Sequence, residues 1–414
     1  MASLQPVRGT HDLLFDDIRR HRAIEAIAFE VAGRYGYSEI ATPIFEFSEV
    51  FTRTLGDTSD IVTKEMYSFT DKGGEALTLR PEGTAGVVRA LISGGLSQHL
   101  PLKYVYAGPM FRYERPQKGR MRQFHQIGIE LLGAAQPAGD VEIIACGAAI
   151  LRELGVLDRT SLELNTLGDV DSRAAYREAL IDYFSAHRDR LSAESQERLE
   201  RNPLRILDSK DSADRALVME APRFGEYLNQ QSRDFFAAVT DGLDALGIAY
   251  QRNPLLVRGL DYYCHTAFEF VTTELGAQGT VMGGGRYDGL VEIMGGPATP
   301  GIGWAAGIER IAMMLAETPP ARRPLAVVPV GHGAERPAGE LAERLRRAGY
   351  AVELGYGGNL GKRLKRADKL GAAAAVILGE DELAQGVASL RDLDSGEQTT
   401  VPLADLEERL IRFR

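Results

Sequence analysis

The chain has 414 residues, of which 44% are hydrophobic and 26% are charged, and its formal net charge is −10. This length and composition are typical of a globular protein of two or three domains, and they exclude collagen-like, disordered and disulfide-rich classes. The acidic balance argues against indiscriminate nucleic-acid binding, although a local basic patch can still bind a specific RNA.

The sequence has no apolar run long enough to predict a membrane span, and its first ten residues lack the features of a signal peptide. Cys146 and Cys264 are far apart and belong to no Cys/His cluster of the kind that binds zinc. We therefore expect a soluble protein of the reducing cytoplasm, without a metal site of that type.

Taken in chain order, the elements begin with helical periodicity from about Asp12 to Tyr35. An extended segment follows at 37–44, and strands are predicted from Tyr104 to Leu132. Charged sequence with a weak apolar stripe, at about 170–229, indicates a small helical insertion. Strand-like, glycine-rich sequence returns at 255–306 and leads into a helix.

A polar, proline-rich linker is predicted at 319–324, because prolines cannot continue a helix. Beyond it the pattern alternates as strand, helix, strand, helix, strand, which indicates a mostly parallel sheet. The expected positions are 325–330, 338–348, 352–354, 360–370 and 374–378. We therefore place one domain at 1–320, with the insertion inside it, and an α/β domain at 325–414.

The segment 110–132 predicts two strands that flank a basic loop. Because successive side chains alternate along a strand, one face of the second strand is apolar, with Ile127 and Ile129. His125 shares this face and is predicted to pack there. The other face is polar and either meets solvent or binds a ligand, for which Gly128 leaves room. The polar side chains of the hairpin are Arg112, Glu114, Gln126 and Glu130.

A glycine-rich strand at 301–307 runs into a helix that carries Arg310 in its first turn. The start of a helix favours anions, so Arg310 is either a phosphate ligand or an exposed helix arginine. Thr84, ahead of an earlier helix, is likewise either a site residue or simply the N-cap of that helix. Neither a Walker loop nor a GxGxxG fingerprint is present.

Phe111-Arg112-Tyr113-Glu114 resembles motif 2 of the class II aminoacyl-tRNA synthetases. The segment 303–310 resembles their motif 3, and 37–43 resembles motif 1, which forms the dimer interface. More narrowly, the chain resembles the histidyl-tRNA synthetase family from end to end. The segments that carry this narrower resemblance are 6–12, 79–84, 256–263 and 283–290.

The resemblance implies an α+β catalytic domain with an antiparallel sheet of six or seven strands, a helical insertion and a C-terminal α/β anticodon-binding domain. It also implies a homodimer that joins L-histidine to ATP as histidyl-adenylate and passes the histidine to tRNA(His). ATP and Mg²⁺ are the implied cofactors, with the ion bound to the β- and γ-phosphates.

The resemblance assigns the ATP contacts as well. Arg112 would hold the α-phosphate and the histidine carboxylate, and Arg310 the γ-phosphate. Arg258 would reach the α-phosphate where other class II enzymes place a metal ion, and these three arginines are the implied catalytic residues. Glu114 would act through the adenine or the metal.

For the amino acid, the family pattern assigns the imidazole ring to Glu82 and Tyr263. Glu130, Gln126 and Thr84 would surround the amino group, and Tyr262 would shape the pocket. The basic loop of the hairpin either contacts the acceptor stem or is a solvated turn, with Lys118, Arg120 and Arg122 as its cations. A basic helix in the last domain is either an RNA footprint or an ordinary charged face, with Lys362, Arg363, Lys365, Arg366 and Lys369.

Two other classes fit parts of the pattern. A catalytically inactive regulatory paralogue would lack the C-terminal domain and several arginines, which this chain has. A synthetase for threonine, proline or glycine is disfavoured by the segment 258–263, and the threonine enzyme also by the missing Cys/His zinc set.

Overall fold

A computed structural model describes residues 3–55, 61–209, 211–257, 262–276 and 279–414. The chain forms two compact units, Met1–Pro319 and Pro320–Arg414. Arg258 lies outside the described residues, so its predicted role remains a prediction. In the part of the chain that the structure describes, no helix is long and apolar enough to cross a membrane.

The first unit combines a long sheet, a small sheet and surrounding helices. Its strands are β1 (Ser38–Glu39), β2 (Phe45–Phe47), β3 (Tyr67–Thr70), β4 (Ala76–Leu79), β5 (Leu102–Phe111), β6 (Gln123–Leu132), β7 (Ser161–Thr166), β8 (Gln251–Arg252), β9 (Cys264–Val271), β10 (Thr280–Arg286) and β11 (Gly301–Gly307). Its helices are α1 (Phe15–Arg34), α2 (Ser48–Leu55), α3 (Thr84–Ser93), α4 (Pro137–Glu153), α5 (Val170–Ser185), α6 (Ala193–Arg201), α7 (Ser212–Glu220), α8 (Gln230–Ala245), α9 (Leu290–Ile293) and α10 (Ile308–Met314).

The long sheet has the strand order β1-β5-β6-β11-β10-β9-β7-β8. All neighbours from β5 to β7 are antiparallel, as predicted for the catalytic domain, whereas the two-residue strands β1 and β8 pair parallel at the edges. The antiparallel part has six strands, within the predicted six or seven, and the two short parallel strands bring the described sheet to eight. The predicted extended segment at 37–44 contributes only the short strand β1.

The first helix begins later than expected, at Phe15, and ends before Gly36. Gly36 has a φ of +81°, which glycine adopts without strain just beyond a helix end. One face of α1 buries Ile24 and Val31 in the same apolar cluster as Ile127 and Ile129 of β6. The apolar face predicted for β6 is thus the core side of the sheet.

The opposite side of the sheet carries a second cluster, which includes Val88 and Leu91 of α3 with Tyr106 of β5 and Tyr287. Gln126, Gly128 and Glu130 alternate with the core residues of β6 and so face this side. The helices α5 to α7 have a separate cluster of their own, which includes Leu180 and Leu217.

The second unit contains strands β12 (Leu325–Val330), β13 (Val352–Leu354), β14 (Ala374–Gly379), β15 (Val387–Asp392) and β16 (Gln398–Pro402), with helices α11 (Glu335–Arg347), α12 (Leu360–Lys369), α13 (Glu380–Ala384) and α14 (Leu406–Leu410). The strand order is β13-β12-β14-β15-β16. The first three strands are parallel, as predicted. The expectation of a mostly parallel sheet missed β15 and β16, which add an antiparallel hairpin at the edge.

The central strands β12 and β14 are apolar throughout, as is usual for parallel strands with both faces covered. Val327 packs in a cluster with Leu345 of α11, and Val328 in another with Ala367 of α12. On the basic helix α12, Arg363 donates to the carbonyl of Pro329, and Arg366 pairs with Glu353. Part of its positive charge therefore stabilises the unit itself.

Candidate active site

A pocket of about 210 Å³ opens where β6, β10 and β11 approach the start of α3 and of α10. Most of the predicted site residues line it, although they come from distant parts of the sequence. These are Glu82, Thr84, Arg112, Glu114, Arg120, Gln126, Tyr262, Tyr263 and Arg310. Phe124, Thr280, Trp304 and Glu309 also line it and were missed by sequence reasoning, because no local pattern gave these side chains a role.

Arginines concentrate positive charge in the pocket. Arg310 donates from Nε to the carbonyl of Gly119 at 3.2 Å and from Nη1 to that of Thr280 at 2.6 Å. Burial, together with the charges of Arg120 and Arg112, lowers the pKa of Arg310. Because like charges repel, the cluster favours a strongly anionic ligand such as a triphosphate.

Arg112 lies just beyond the end of β5, not within the strand as predicted. Its Nε donates to the carbonyl of Pro81 at 2.9 Å, and its guanidinium lies 5.4 Å from the ring centroid of Phe124. These contacts fix the side chain at the pocket wall before any ligand binds.

The loop between β5 and β6 is internally bonded. Arg120 donates through Nε and Nη2 to the carboxylate of Glu114. Arg122 donates to the Glu114 carbonyl at 3.2 Å and stacks on the ring of Tyr113 at 4.0 Å. Arg122 and Lys118 do not line the pocket, and Lys118 is exposed. Of the three predicted tRNA contacts, Lys118 is therefore the most exposed to solvent.

Glu82 caps helix α3. Its carboxylate accepts from the backbone N–H of Thr84 at 2.6 Å and of Ala85 at 2.8 Å. Burial raises the pKa of Glu82, while these two hydrogen bonds and Arg112 oppose that rise. Thr84 is not the N-cap, because it is the first residue of the helix and follows Gly83. Its hydroxyl instead donates to Glu130 at 2.7 Å.

Glu130 is fully buried beneath the pocket and does not line it. Besides Thr84, the hydroxyls of Tyr106 and Tyr287 donate to its carboxylate. Burial raises the pKa of Glu130 to about 8, although the hydroxyl donors partly oppose it. Because Glu130 does not line the pocket, any effect that it has on a ligand's amino group must pass through the hydroxyl of Thr84.

Gly128 does not leave room for a ligand, contrary to the prediction. The ring of Tyr106, on the neighbouring strand β5, occupies the space that a side chain at position 128 would fill. The glycine instead lets Tyr106 lie flat over the sheet and reach Glu130.

Tyr262 and Tyr263, which line the pocket, are nearly buried, and their ring centroids lie 4.7 Å apart. Nη1 of Arg173, on α5, donates to the backbone carbonyl of Tyr263 at 2.5 Å. Among the residues that the structure describes, Gln126 Oε1 is buried without a hydrogen-bond partner. A buried acceptor at a pocket wall is ready to receive a donor from a ligand.

His125 does more than pack. Its backbone N–H donates to both oxygens of Glu309, at 2.9 and 3.0 Å, and its Nδ1 lies 2.9 Å from Glu309 Oε1. Its ring also meets that of His21, on α1. Sequence alternation placed His125 on the correct face but gave no signal for its partner at the start of α10.

Comparison with known proteins identifies the family of the chain. The sequence profile of the Histidyl-tRNA synthetase family matches residues 9–311, and that of the Anticodon binding domain matches residues 325–412. The histidine–tRNA ligase of Rhodospirillum rubrum is 64% identical over 414 residues, covering all of both chains. That of Gluconacetobacter diazotrophicus is 60% identical over 403 residues, covering 97% of each.

Among solved structures, apo histidyl-tRNA synthetase of S. aureus superposes with a TM-score of 0.83 at 36% identity. The match covers 98% of this chain and 99% of that one. Sequence, fold and the arginine-lined pocket therefore agree: the chain belongs to the histidyl-tRNA synthetase family.

Proposed function

We propose that this chain activates L-histidine with ATP and transfers it to the 3′ end of tRNA(His), with the residue roles that follow. The observation that carries the assignment of roles is the pocket itself. Arg112, Arg120 and Arg310 gather at its wall together with Glu82 and Tyr263. A charged triphosphate and a small polar amino acid thus both find complementary groups there.

In the first step the histidine carboxylate attacks the α-phosphorus of ATP, and pyrophosphate leaves. A carboxylate is already a nucleophile, so no general base is needed, and catalysis consists of positioning and charge stabilisation. Arg112 bridges the α-phosphate and the carboxylate, and Arg310 holds the γ-phosphate. Arg258 supplies a further positive charge at the α-phosphate.

Histidine recognition requires partners for two ring nitrogens and one ammonium group. Glu82 accepts from one ring N–H with the lone pairs that its helix-capping bonds leave over, and the hydroxyl of Tyr263 pairs with the other nitrogen. Gln126 Oε1 receives the ammonium, assisted by Thr84, whose hydroxyl is held in place by Glu130. Tyr262 closes the side of the pocket. Analogues that leave these buried groups unpaired are rejected strongly.

Mg²⁺ accompanies the triphosphate and neutralises part of its charge. The residues at the pocket fit such an ion, because Glu114 is a carboxylate at its wall, and Mg²⁺ takes oxygen ligands from carboxylates and phosphates together. To reach the ion, Glu114 has to give up part of its pairing with Arg120.

Two further partners complete the proposal. Lys118, Arg120 and Arg122 contact the acceptor end of tRNA(His), and the second unit reads the anticodon. A homodimer forms through the segment 37–43, as the resemblance implies, and through the small sheet β2-β4-β3 that follows it, on which Phe47 and Phe69 flank Leu77 on one face. The two phenylalanines are 51% and 46% exposed, which supports an interface there.

Amino-acid-dependent exchange of pyrophosphate into ATP tests the function. Histidine alone should drive exchange, whereas no exchange would indicate a regulatory paralogue, and equal exchange with threonine, proline or glycine would indicate a sibling synthetase. Arg258→Ala should abolish exchange while the thermal midpoint stays unchanged. Near wild-type exchange in that variant would remove Arg258 from the mechanism.

The variant Glu82→Gln distinguishes a role of this residue in histidine binding from a role in ATP binding. We expect the KM for histidine to rise far more than the KM for ATP, because the carboxylate faces the ring. An equal rise in both would assign Glu82 only its structural role at the start of α3.

A further inference from the structure

Three potential metal ligands from separate elements meet beside the active site. They are His21 of α1, His125 of β6 and Glu309 of α10, and one ligand atom from each lies within 4.8 Å of the other two. We propose that these residues form a binding site for a transition-metal dication of the Zn²⁺ class, with water or another small ligand completing the coordination shell.

The arrangement of the two imidazoles fits a shared ion. With metal–nitrogen distances of about 2.0–2.1 Å and tetrahedral angles, two coordinated rings have centroids about 5 Å apart. The rings of His21 and His125 have centroids 5.2 Å apart, at an interplanar angle of 82°. Edge-to-face packing alone allows a wider range, about 4.5–7 Å.

Glu309 is held in a way that suits a ligand. Its oxygens accept from the backbone N–H of His125, at 2.9 and 3.0 Å, and this bond can persist on one oxygen while the other binds a metal. Oε1 lies 2.9 Å from His125 Nδ1, and two ligand atoms on a tetrahedral ion lie about 3.3 Å apart. The pair therefore needs to open by only a few tenths of an ångström.

His21 supplies a nitrogen that has no other described use. It is 4% exposed, and among the described residues its Nδ1 is buried without a hydrogen-bond partner. Burial lowers the pKa of His21, although Glu309 opposes this. A metal ion would give this buried nitrogen the partner that the described residues do not provide.

An ion can reach the cluster from solvent. Glu309 lines the pocket, and the side chains of Glu309 and His125 are 13% and 20% exposed. The set of two histidines and one glutamate leaves a coordination position open toward that side. Nitrogen and oxygen ligands of this mixture select Zn²⁺, Co²⁺ or Ni²⁺ over Mg²⁺.

Occupation of the site has a consequence for ATP, which rests on the role proposed for Arg310. Coordination replaces the Nδ1–Glu309 hydrogen bond and moves the first turn of α10, in which Arg310 follows Glu309. We expect the KM for ATP to rise at a buffered excess of free Zn²⁺, while the KM for histidine changes little.

Calorimetric titration of the full-length protein with Zn²⁺, in the absence of nucleotide, tests the site. His21→Phe keeps the ring volume but removes both nitrogens. Binding should weaken beyond the roughly 10- to 100-fold that loss of an outer-shell partner costs. His332→Phe is the matched control, because His332 is a fully exposed histidine of the second unit. Co²⁺ should give the visible bands of a low-symmetry protein site in the control and not in His21→Phe.

No binding by the wild type, or equal binding by both variants, would overturn the proposal. If His21→Phe fails to fold, anomalous scattering from Zn²⁺-soaked wild-type crystals tests the site instead. A zinc peak between His21, His125 and Glu309 would support it, and a peak only at other positions would reject it. His21→Phe should also keep its basal histidine-dependent exchange and lose the Zn²⁺ effect on the KM for ATP. Failure of the wild type to catalyse histidine-dependent exchange with Mg²⁺ and no added Zn²⁺ would instead count against the proposed function.

Discussion

Glu114 and Arg120 form a two-point ion pair across the turn of the β5–β6 hairpin, and both side chains line the pocket. The sequence had assigned them to different substrates, Glu114 to ATP and Arg120 to tRNA. Their pairing implies that one cannot engage its substrate without changing the other. The loop is therefore a point at which nucleotide binding and acceptor-end binding can be coupled.

Arg120→Ala tests this coupling. We expect the KM for ATP in pyrophosphate exchange without tRNA to rise about tenfold or more, because Glu114 is left as an unpaired, nearly buried charge in a site for an anion. Lys118→Ala is the control, since Lys118 is exposed on the same loop. If Arg120 serves tRNA alone, exchange is unchanged and only aminoacylation falls.

The contrast between Ile127 and Gly128 shows which features of the hairpin can be predicted from the sequence alone. Alternation predicted the hairpin and its two faces, because a strand repeats every two residues and needs no knowledge of the rest of the chain. What fills the space above Gly128 depends on Tyr106 of the neighbouring strand, which requires the cross-strand register. A bulky residue opposite a glycine was a usable signal, but only once the register was known.

The same distinction between local patterns and contacts set by tertiary packing applies to the residues of the site. Arg112 and Arg310 were found from local motifs, whereas the bond between His125 and Glu309 joins residues 184 positions apart in the chain. No local pattern encodes such a contact, because it is set by the packing of α10 on the long sheet. Similarly, Glu82 was assigned to the substrate, while its capping of α3 appeared only with the helix boundary.

Gly128→Ala should destabilise the first unit by about 1–3 kcal/mol, the usual cost of overpacking a filled site. The added Cβ meets the ring of Tyr106 and displaces the hydroxyl that donates to Glu130. Urea unfolding and the KM for histidine should both report the change. Gly33→Ala provides the control, because Gly33 lies in α1 with open space around its Cβ position. That variant should gain roughly 0.5–1 kcal/mol, so a similar loss in both would contradict the prediction.

The buried carboxyl of Glu130 should make the first unit less stable as pH rises. Its pKa is about 8 in the folded protein and about 4.3 in an unfolded chain. Between these values the folded state binds more protons, so the free energy of unfolding falls with pH by at most about 1.4 kcal/mol per unit. The contribution is fully present below about pH 4 and is lost as pH passes through about 8.

Urea midpoints of the wild type and of Glu130→Gln, measured at several values between pH 5.5 and 8.5, test this expectation. The glutamine is neutral throughout and cannot ionise, so the variant should lose less stability across the range than the wild type. Parallel pH dependence in the two proteins would mean that Glu130 is already ionised at neutral pH.

The last prediction concerns Arg173, which belongs to α5 and holds the backbone of Tyr263. Arg173→Ala should raise the KM for histidine several-fold, because Tyr263 loses the bond that fixes its position, and leave the KM for ATP nearly unchanged. Arg177→Ala is a matched control, since Arg177 lies one turn later on the same helix and is exposed. A purely structural role for Arg173 would lower the thermal midpoint and reduce kcat without this selective rise. A selective rise would instead mean that Arg173 of α5, 90 positions from Tyr263 in the chain, sets the geometry of the pocket around Tyr263.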